Sequence, residues 1–480
     1  MNGRPSVLRG ISLLGSAQAV AMACGVVTAA LLGRAIGPEG YGVIGFGVAL
    51  VAFFNLAVTL GTDTLGSRNI AREPAQAASI LGTILSLRLV LLIVLGVVFV
   101  LVSYLLDRTP VQRTVLLIQG GGILVTAMTL DFLFQGLHRL SFMAVRQIMA
   151  SVLTLIGVFL LARQPQDVVL AAMVFVSAGL VSVLAVFPAA VRQTGGFHFN
   201  FSFDAWRATL APALPLALTG AMNTILFNTD TVMLGLMVPA HDVGLYTAAF
   251  RVLMVALVPA GIVHAVFHAR LSAVYGDPEA MRRTAHGFCI VLLFAGLPVT
   301  IAGMVLAAPT IRLLFGEAFT DSVPIMTILM GACSLAYIGM MSGATLLAWN
   351  GEKVHLKVNV VAAVVNVAIN IALIPRFGPM GAAVASLVSQ AGMMIGFWLC
   401  LRTKIDGLSL MPVFRLLVAS VSAGAVGWAA VRYFPLGSLD TALDAGILVI
   451  QGAVTISLVF LAVCRVLQIH WLAALRDDRY

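Results

Sequence analysis

Five charged residues stand inside long apolar stretches of this sequence, where few kinds of chemistry are open to a charge. They are Asp63, Arg88, Asp131, Asp230 and Arg251. A charge at the centre of a membrane helix costs about 2.5–3.5 kcal/mol on insertion scales, so such a side chain pairs with another group or faces a water-filled cavity. These five residues are therefore candidates for ion pairing or for binding a polar solute within the membrane.

Position along the stretches ranks these candidates. Asp230 and Arg251 flank a predicted tight turn at matching distances. They predict either an ion pair that joins two helices, or a cavity-facing Arg251 whose charge Asp230 adjusts. Arg88 lies well inside its stretch. Asp63 and Asp131 lie near the predicted cytoplasmic ends of theirs, where interfacial water can solvate a carboxylate, so they rank lower.

Polar residues form stripes on two predicted helices. The first stripe is Thr219, Asn223 and Asp230, and the second is His355, Asn359, Asn366 and Asn370. Within the first stripe the offsets from Thr219 are four and eleven residues, and within the second the offsets from His355 are four, eleven and fifteen residues. These offsets keep each set on one helical face. Amides within a bilayer must find partners, so the stripes predict either helix–helix contacts or the lining of a cavity.

Motifs for catalysis and metal binding are missing from the sequence. It contains no GxxxxGK[ST] loop and no HExxH motif, and the i,i+4 pair His264 and His268 has no accompanying glutamate. The five cysteines show no CxxC spacing. The sequence therefore predicts a protein that is not an enzyme and that uses no cofactor and no metal ion.

Composition identifies the elements that must hold these residues. Of 480 residues, 61% are hydrophobic and 10% are charged, against about 45–50% and 25% in soluble proteins. The mean hydropathy is +1.06. The net charge of +9 comes from basic residues scattered between apolar stretches, which is typical of membrane topology and not of nucleic-acid binding. The chain is predicted to be an all-α, multi-pass membrane protein.

The stretches long enough to cross a bilayer number about fourteen, since each span needs roughly 20 apolar residues. Placing the N-terminus in the cytoplasm assigns most Lys and Arg residues to the cytoplasmic loops, as the positive-inside rule requires. This alternation predicts that both termini are cytoplasmic.

A motif recurs at an offset of 202 residues. Leu32-Gly33 with Gly40-Tyr41-Gly42-Val43 is matched by Leu234-Gly235 with Asp242-Val243-Gly244-Leu245, and a weaker copy includes Gly378-Pro379. The motif indicates a duplicated transporter, although Gly/Pro turns between membrane helices also resemble one another without duplication. The duplication predicts two pseudo-symmetric six-helix lobes, 1–191 and 207–402, followed by a C-terminal helix pair within 403–480.

The predicted linker, residues 192–206, contains phenylalanines that alternate with polar residues from Phe197 to Phe203. This pattern suits a segment that lies in the cytoplasmic interface of the membrane. A plain linker that is aromatic by composition is the alternative.

Several motifs, in their order and spacing, resemble the polysaccharide transport family, whose oligosaccharide flippases belong to the multidrug/oligosaccharidyl-lipid/polysaccharide exporter superfamily. The motifs are Leu32-Gly33-Arg34 with Gly37-Pro38-Glu39-Gly40-Tyr41-Gly42, Asn228-Thr229-Asp230, Ala249-Phe250-Arg251, and Ile374-Pro375 with Gly378-Pro379-Met380-Gly381. Together they extend over nearly the whole chain.

The resemblance implies a two-lobed helical flippase in a bacterial inner membrane. Its substrate would be a polyprenyl-pyrophosphate-linked oligosaccharide, moved by alternating access to the outer leaflet for capsule, exopolysaccharide or O-antigen synthesis. Cavity arginines would attract the pyrophosphate, and Arg88 and Arg251 are the candidates here. The implied partners are this lipid-linked substrate, the bilayer, and a polysaccharide polymerase or export complex.

Three other functions stay open at this stage. An ion-coupled exporter of drugs or small amphiphiles would have the same fold, and paired carboxylates such as Asp63 and Asp131 would favour it. A lipid II flippase is the second alternative, and a membrane scaffold for polymer synthesis is the third. Fourteen helices favour the oligosaccharide flippase over the drug exporters of this superfamily, which usually have twelve.

Overall fold

The structure, a computed structural model, describes residues 4–403 and 411–469, with the side chains of residues 4–12, 219 and 223 excepted. The described residues form α-helices joined by short turns and no β-strand. The helices are α1 Arg4–Thr59, α2 Thr62–Arg72, α3 Ala77–Leu105, α4 Pro110–Ala127, α5 Asp131–Gly136, α6 Leu140–Leu161, α7 Val168–Thr194, α8 Phe203–Met237, α9 Ala240–Ala256, α10 Val258–Ala273, α11 Pro278–Val305, α12 Ala307–Phe315, α13 Ser322–Ala348, α14 Glu352–Arg402, α15 Met411–Tyr433 and α16 Ala442–Val466.

Long apolar helices confirm the multi-pass membrane fold. Within the described residues, eleven segments are long and apolar enough to cross a bilayer, and the bent helix α8 makes a twelfth. The bend in α8 is 43° and lies between Leu218 and Gly220.

Two of these segments are too long for one crossing. Helix α1 has 56 residues and α14 has 51, whereas a span needs about 20. Each contains one glycine outside the helical region, Gly37 at φ 69° and Gly378 at φ 54°, and each glycine precedes a proline. Dividing both helices at these glycines gives the fourteen predicted crossings.

The close approach of two backbone segments on either side of Gly378 supports the division of α14. A β carbon on Gly381 would lie 2.7 Å from the backbone carbonyl of Leu373. Residues eight positions apart in a continuous helix are separated by about 12 Å along the axis. The chain therefore turns back on itself between these two residues.

The chain forms two compact units. The first comprises residues 1–235 and 239–244, and the second comprises residues 236–238 and 245–480. In the first unit α1 packs against α4 and α6, α7 packs against α4 and α6, and the short helices α2 and α5 pack against each other. The predicted lobe boundaries near residues 191, 207 and 403 stay predictions.

The second unit is built around α11 and α13. Helix α13 packs against α14, α11 packs against α13 and α15, and α16 packs against α15 and α12. Tyr337 is fully buried in this unit and donates its hydroxyl hydrogen to the carbonyl of Ala256 at 2.7 Å. That carbonyl is the last of α9, so the bond satisfies a helix end that membrane lipid could not.

Candidate functional site

Two membrane helices of the first unit are interrupted. One break separates α1 from α2 at Leu60 and Gly61, whose φ values are 41° and 75°. The other separates α4 from α5 over residues 128–130. A break leaves backbone N–H and C=O groups without their usual partners, and hydrocarbon offers none, so other protein groups must bind them.

The side chain of Arg88, on α3, reaches both breaks. Its Nε and Nη2 atoms donate to the hydroxyl of Thr62 at 3.1 and 2.7 Å, and Nη2 also donates to Asp63 Oδ1 at 2.7 Å. Its Nη1 atom donates to the carbonyl oxygen of Thr129 at 3.2 Å. All three guanidinium nitrogens therefore bind protein atoms.

Burial differs sharply between the two charges of this pair. The side chain of Arg88 is 1% exposed, and that of Asp63 is 48% exposed. The guanidinium also lies over the ring of Phe132, 5.1 Å from its centroid, where the ring quadrupole attracts a cation. The structure thus brings the two predicted residues Arg88 and Asp63 together and encloses the arginine.

Asp131, the first residue of α5, is paired with Arg146 of α6. The guanidinium donates from Nε to Oδ1 at 2.8 Å and from Nη2 to Oδ2. This two-bond arrangement is the strong form of an arginine–carboxylate pair. Each of the two lower-ranked carboxylates, Asp63 and Asp131, therefore has an arginine partner.

Two glycines allow α2 and α5 to pack closely. A β carbon on Gly66 would lie 2.8 Å from the ring of Phe132, and one on Gly136 would lie 2.7 Å from the Ile70 side chain. Small residues at such positions let neighbouring backbones approach. The two short helices therefore form a tightly packed pair beside Arg88.

The predicted linker, residues 192–206, lies against the same part of α3. Ser86 donates to the carbonyl of Asn200 at 2.6 Å and accepts from Trp206 Nε1 at 3.0 Å. Phe197 packs against the core formed by α2, α3, α5 and α7. Three further phenylalanines of the segment are exposed, namely Phe199, Phe201 and Phe203. The interfacial position of this segment stays a prediction.

Arg251 has very different surroundings in the second unit. The buried face of α9 carries Tyr246, Ala249 and Leu253. Arg251 projects from the opposite face and is exposed. It lies eleven residues after Ala240, the first residue of α9, which places it about 16 Å along a helix that crosses a bilayer about 30 Å thick.

The other candidates on α8 belong to the first unit. Asp230 is buried. The side chain of Asn223 lies outside the described residues. Pairing of Asp230 with Arg251 stays a prediction.

The amide stripe of α14 is buried and bonds within itself. Asn359 Nδ2 lies 3.0 Å from His355 Nδ1, and Asn370 Nδ2 donates to Asn366 Oδ1 at 3.0 Å. Asn359, Asn366 and Asn370 are all buried. Because both bonds join residues of one helix, the two predicted roles, helix–helix contact and cavity lining, stay predictions.

Two glycines of the repeated motif meet each other. A β carbon on Gly42 would lie 1.8 Å from the carbonyl oxygen of Ala240, and one on Gly244 would lie 1.8 Å from that of Pro38. Gly42 and Gly244 are 202 residues apart, and so are Pro38 and Ala240. The contact is therefore reciprocal, as a local two-fold axis would make it, and it supports the predicted repeat.

Arg108 binds a helix end and an aromatic ring in the first unit. It lies between α3 and α4, where its Nη2 donates to the carbonyl of Gly235 and its guanidinium lies 4.7 Å from the ring centroid of Phe46. Burial lowers the pKa of Arg108, and the neighbouring Asp107 partly opposes this. The arginine thus satisfies a carbonyl near the end of α8.

Sequence reasoning missed Thr62, Thr129 and Arg108. Neither threonine is charged, and Arg108 lies in a predicted loop, where a charge does not carry the cost that singles out charges within a membrane helix. A local signal existed only for Thr62, which follows Gly61 and precedes Asp63. Among the described residues, no group of three His, Cys, Asp or Glu side chains could hold a metal ion.

Sequence comparison gives the family context. A family model described as polysaccharide biosynthesis protein matches residues 7–267. The capsular polysaccharide biosynthesis protein CapF of Staphylococcus aureus is 21% identical over 42% of this chain and 51% of its own length. The probable flippase AglR of Haloferax volcanii is 27% identical over 48% of this chain and 49% of its own. The chain thus spans about half the length of these curated relatives.

Comparison with solved structures confirms the fold. The lipid II flippase MurJ, in an inward closed conformation, has a TM-score of 0.77 at 13% identity, over 95% of this chain and 99% of that one. An inward-facing multidrug resistance MATE transporter of the MOP superfamily has a TM-score of 0.63 at 18% identity, over 80% of this chain and 94% of that one. At these identities the likeness concerns the fold alone.

Proposed function

The chain belongs to the polysaccharide biosynthesis protein family, and from this premise we propose that it is a flippase for polyprenyl-pyrophosphate-linked oligosaccharide. It moves the substrate from the cytoplasmic to the outer leaflet for the synthesis of a surface polysaccharide. AglR, which this chain matches over about half of AglR's length, is named a probable flippase, and this name supports flipping. CapF is named a capsular polysaccharide biosynthesis protein, and this name supports a capsular or similar polymer.

The observation that carries this proposal is the exposure of Arg251. A guanidinium that is exposed about halfway across a membrane-spanning helix faces a water-filled cavity, because hydrocarbon would impose the full cost of the charge. Guanidinium groups bind phosphate oxygens through paired N–H donors, and this bond strengthens where water is scarce. Arg251 is therefore the residue that receives the pyrophosphate.

The remaining candidates have secondary roles in this proposal. Asp230 and Asn223 are further cavity candidates because of their sequence spacing. The amides Asn359, Asn366 and Asn370 fix the packing of α14. With no nucleotide-binding loop in the sequence, alternating access draws on an ion gradient, the membrane potential or the substrate gradient.

Drug export is disfavoured by the surroundings of the carboxylates. The exporter hypothesis needs acidic residues that exchange protons or cations within one lobe. Asp63 and Asp131 are instead bonded to Arg88 and Arg146. Lipid II flipping is the second candidate, because the fold matches MurJ over 95% of this chain.

In this proposal the protein lies in a bacterial inner membrane with both termini in the cytoplasm. Its substrate reaches it from the cytoplasmic leaflet, and a polysaccharide polymerase or export complex receives the product. The protein acts as a transporter and not as a catalyst.

Deletion of the gene in its host tests the proposal. Undecaprenyl-pyrophosphate oligosaccharide should accumulate while one surface polymer is lost, and the wild-type gene should restore both. Unchanged lipid pools with increased sensitivity to cationic drugs would overturn the flippase in favour of an exporter. Accumulation of lipid II with cell lysis would favour the second candidate.

A further inference from the structure

We propose that Arg88 is a positioning residue and not a ligand of the phosphate. It ties the breaks in two membrane helices together, and it thereby fixes the short helices α2 and α5 against α3. This inference rests on the proposed function only in assuming that the protein binds a pyrophosphate at another residue.

The protein itself uses most of the guanidinium donors of Arg88. Arg88 has five N–H groups, and they make four hydrogen bonds to Thr62, Asp63 and Thr129. The side chain is 1% exposed. A phosphate could reach it only after these bonds break and the helices around it separate.

The bonds of Arg88 stabilise the two helix breaks. Thr62 accepts from Arg88 and donates its own hydroxyl hydrogen to the carbonyl of Thr59, the last residue of α1, at 2.6 Å. Arg88 also binds the carbonyl of Thr129 between α4 and α5. One side chain therefore binds polar groups at both breaks, a carbonyl at one and the hydroxyl that caps a carbonyl at the other, which lipid could not do.

The predicted linker is bonded to the same stretch of α3. Ser86, two residues before Arg88, holds Asn200 and Trp206. A β carbon on Gly82 would lie 2.0 Å from the carbonyl oxygen of His198, so only glycine permits this approach. The linker continues directly into α8. Residues 82–88 of α3 thus join both breaks to the start of α8.

Amide hydrogen exchange on the full-length protein in detergent tests this arrangement. Arg88→Met removes every donor, and the double variant Arg88→Met/Asp63→Asn also removes the unpaired carboxylate. Exchange should rise about tenfold or more in residues 60–66 and also in 128–133, because Thr62 and Asp63 at one break and the Thr129 carbonyl at the other lose their donor. Wild-type exchange at either break would overturn the proposal.

Arg146→Gln is the matched control, since it breaks the neighbouring ion pair in the same unit. It should leave exchange in residues 60–66 unchanged. An increase there equal to that of the Arg88 variant would indicate general loosening and would contradict the proposal.

Arg88→Lys covers the case in which the methionine variants fail to fold. A lysine ammonium can hold Asp63 but does not span both breaks as the planar guanidinium does. Exchange should therefore rise in 128–133 and stay unchanged in 60–66. Wild-type exchange at both breaks would show that a single point charge suffices and would overturn the proposal.

Binding of inorganic pyrophosphate separates positioning from ligation. The Arg88→Met/Asp63→Asn variant should keep the wild-type Kd within about twofold, whereas Arg251→Gln should weaken it about tenfold or more. Loss of binding in the Arg88 variant with normal exchange at both breaks would make Arg88 a ligand. If the wild-type protein binds no pyrophosphate, the proposed function fails, and the exchange measurements alone decide the role of Arg88.

Discussion

Arg88 in the first unit and Arg251 in the second are the same residue type at the same depth along their helices. Each lies eleven residues after the first residue of its helix, Ala77 in α3 and Ala240 in α9. Arg88 is enclosed and bonded at every nitrogen, whereas Arg251 is exposed. Residue type and depth therefore do not decide what a membrane arginine does.

The difference arises from the neighbouring helices. α3 runs beside two broken helices, which offer a hydroxyl, a carboxylate and a free carbonyl to Arg88. α9 is continuous around Arg251, and its buried face consists of Tyr246, Ala249 and Leu253. Groups at the two breaks bind Arg88 through four hydrogen bonds, whereas the exposed Arg251 is the arginine proposed to meet the substrate.

The largest effect on flipping is expected from Arg251→Gln. It removes a charge-assisted contact worth about 1.5–3 kcal/mol, so flipping of lipid-linked oligosaccharide should fall about tenfold or more. The unfolding temperature should stay near the wild-type value because the side chain is exposed. Arg251→Lys, which keeps the charge and loses the fork geometry, should retain part of the rate. Wild-type polymer output from Arg251→Gln at normal protein level would contradict the role proposed for Arg251 and its difference from Arg88.

Arg88→Met, unlike Arg251→Gln, should lower the stability of the protein. It leaves buried carbonyl and hydroxyl groups without a donor, at about 1–3 kcal/mol for each such group. The free energy of unfolding, measured by denaturation in detergent, should fall by about 3 kcal/mol in total. An equal loss in Arg251→Gln would show that the two arginines do not differ in this way.

The glycine contact extends the comparison to the repeated motif. Gly42→Ala would force a methyl group against the carbonyl of Ala240, and overpacking of this kind costs about 1–3 kcal/mol. Gly244→Ala should cost a similar amount because the contact is reciprocal. Gly96→Ala is the control, since no neighbouring atom lies within 4 Å of its added carbon. Unequal losses of unfolding free energy at Gly42 and Gly244 would weaken the two-fold relation.

The smallest effect is expected from Asn366→Ala in the second unit. Its hydrogen bond with Asn370 lies between buried amides, and such bonds within membranes are worth about 0.6 kcal/mol. Flipping should stay near the wild-type rate. A large fall in flipping with unchanged stability would instead assign the α14 stripe to a cavity beside Arg251.

Much of the fold could be predicted from hydropathy and turn chemistry. Apolar stretches of membrane-spanning length predict an all-α, multi-pass protein, because backbone groups in hydrocarbon must form their hydrogen bonds within their own helix. The described residues confirm this prediction. The Gly-Pro pairs at Gly37 and Gly378 indicate where the longest helices turn. The breaks before α2 and α5 could not be predicted in this way, since they lie inside apolar stretches without a Gly-Pro pair.

The candidate residues were predicted with less success in their roles. The sequence identifies Arg88, Asp63 and Arg251 by the cost of a charge in hydrocarbon, which depends only on residue type and local surroundings. It could not identify Thr62 or Thr129 as partners of Arg88, because these residues lie on other helices and carry no charge.

By itself, then, the sequence determined the class of fold, the positions of the turns within the two longest helices, and the short set of residues that must be paired or must face water. Only the tertiary structure decided which arginine was paired. The physical reason is that hydropathy is a local property of the chain, whereas satisfaction of a charge depends on groups distant in sequence. Packing alone brings the broken ends of α1 and α4 to Arg88 and leaves Arg251 exposed.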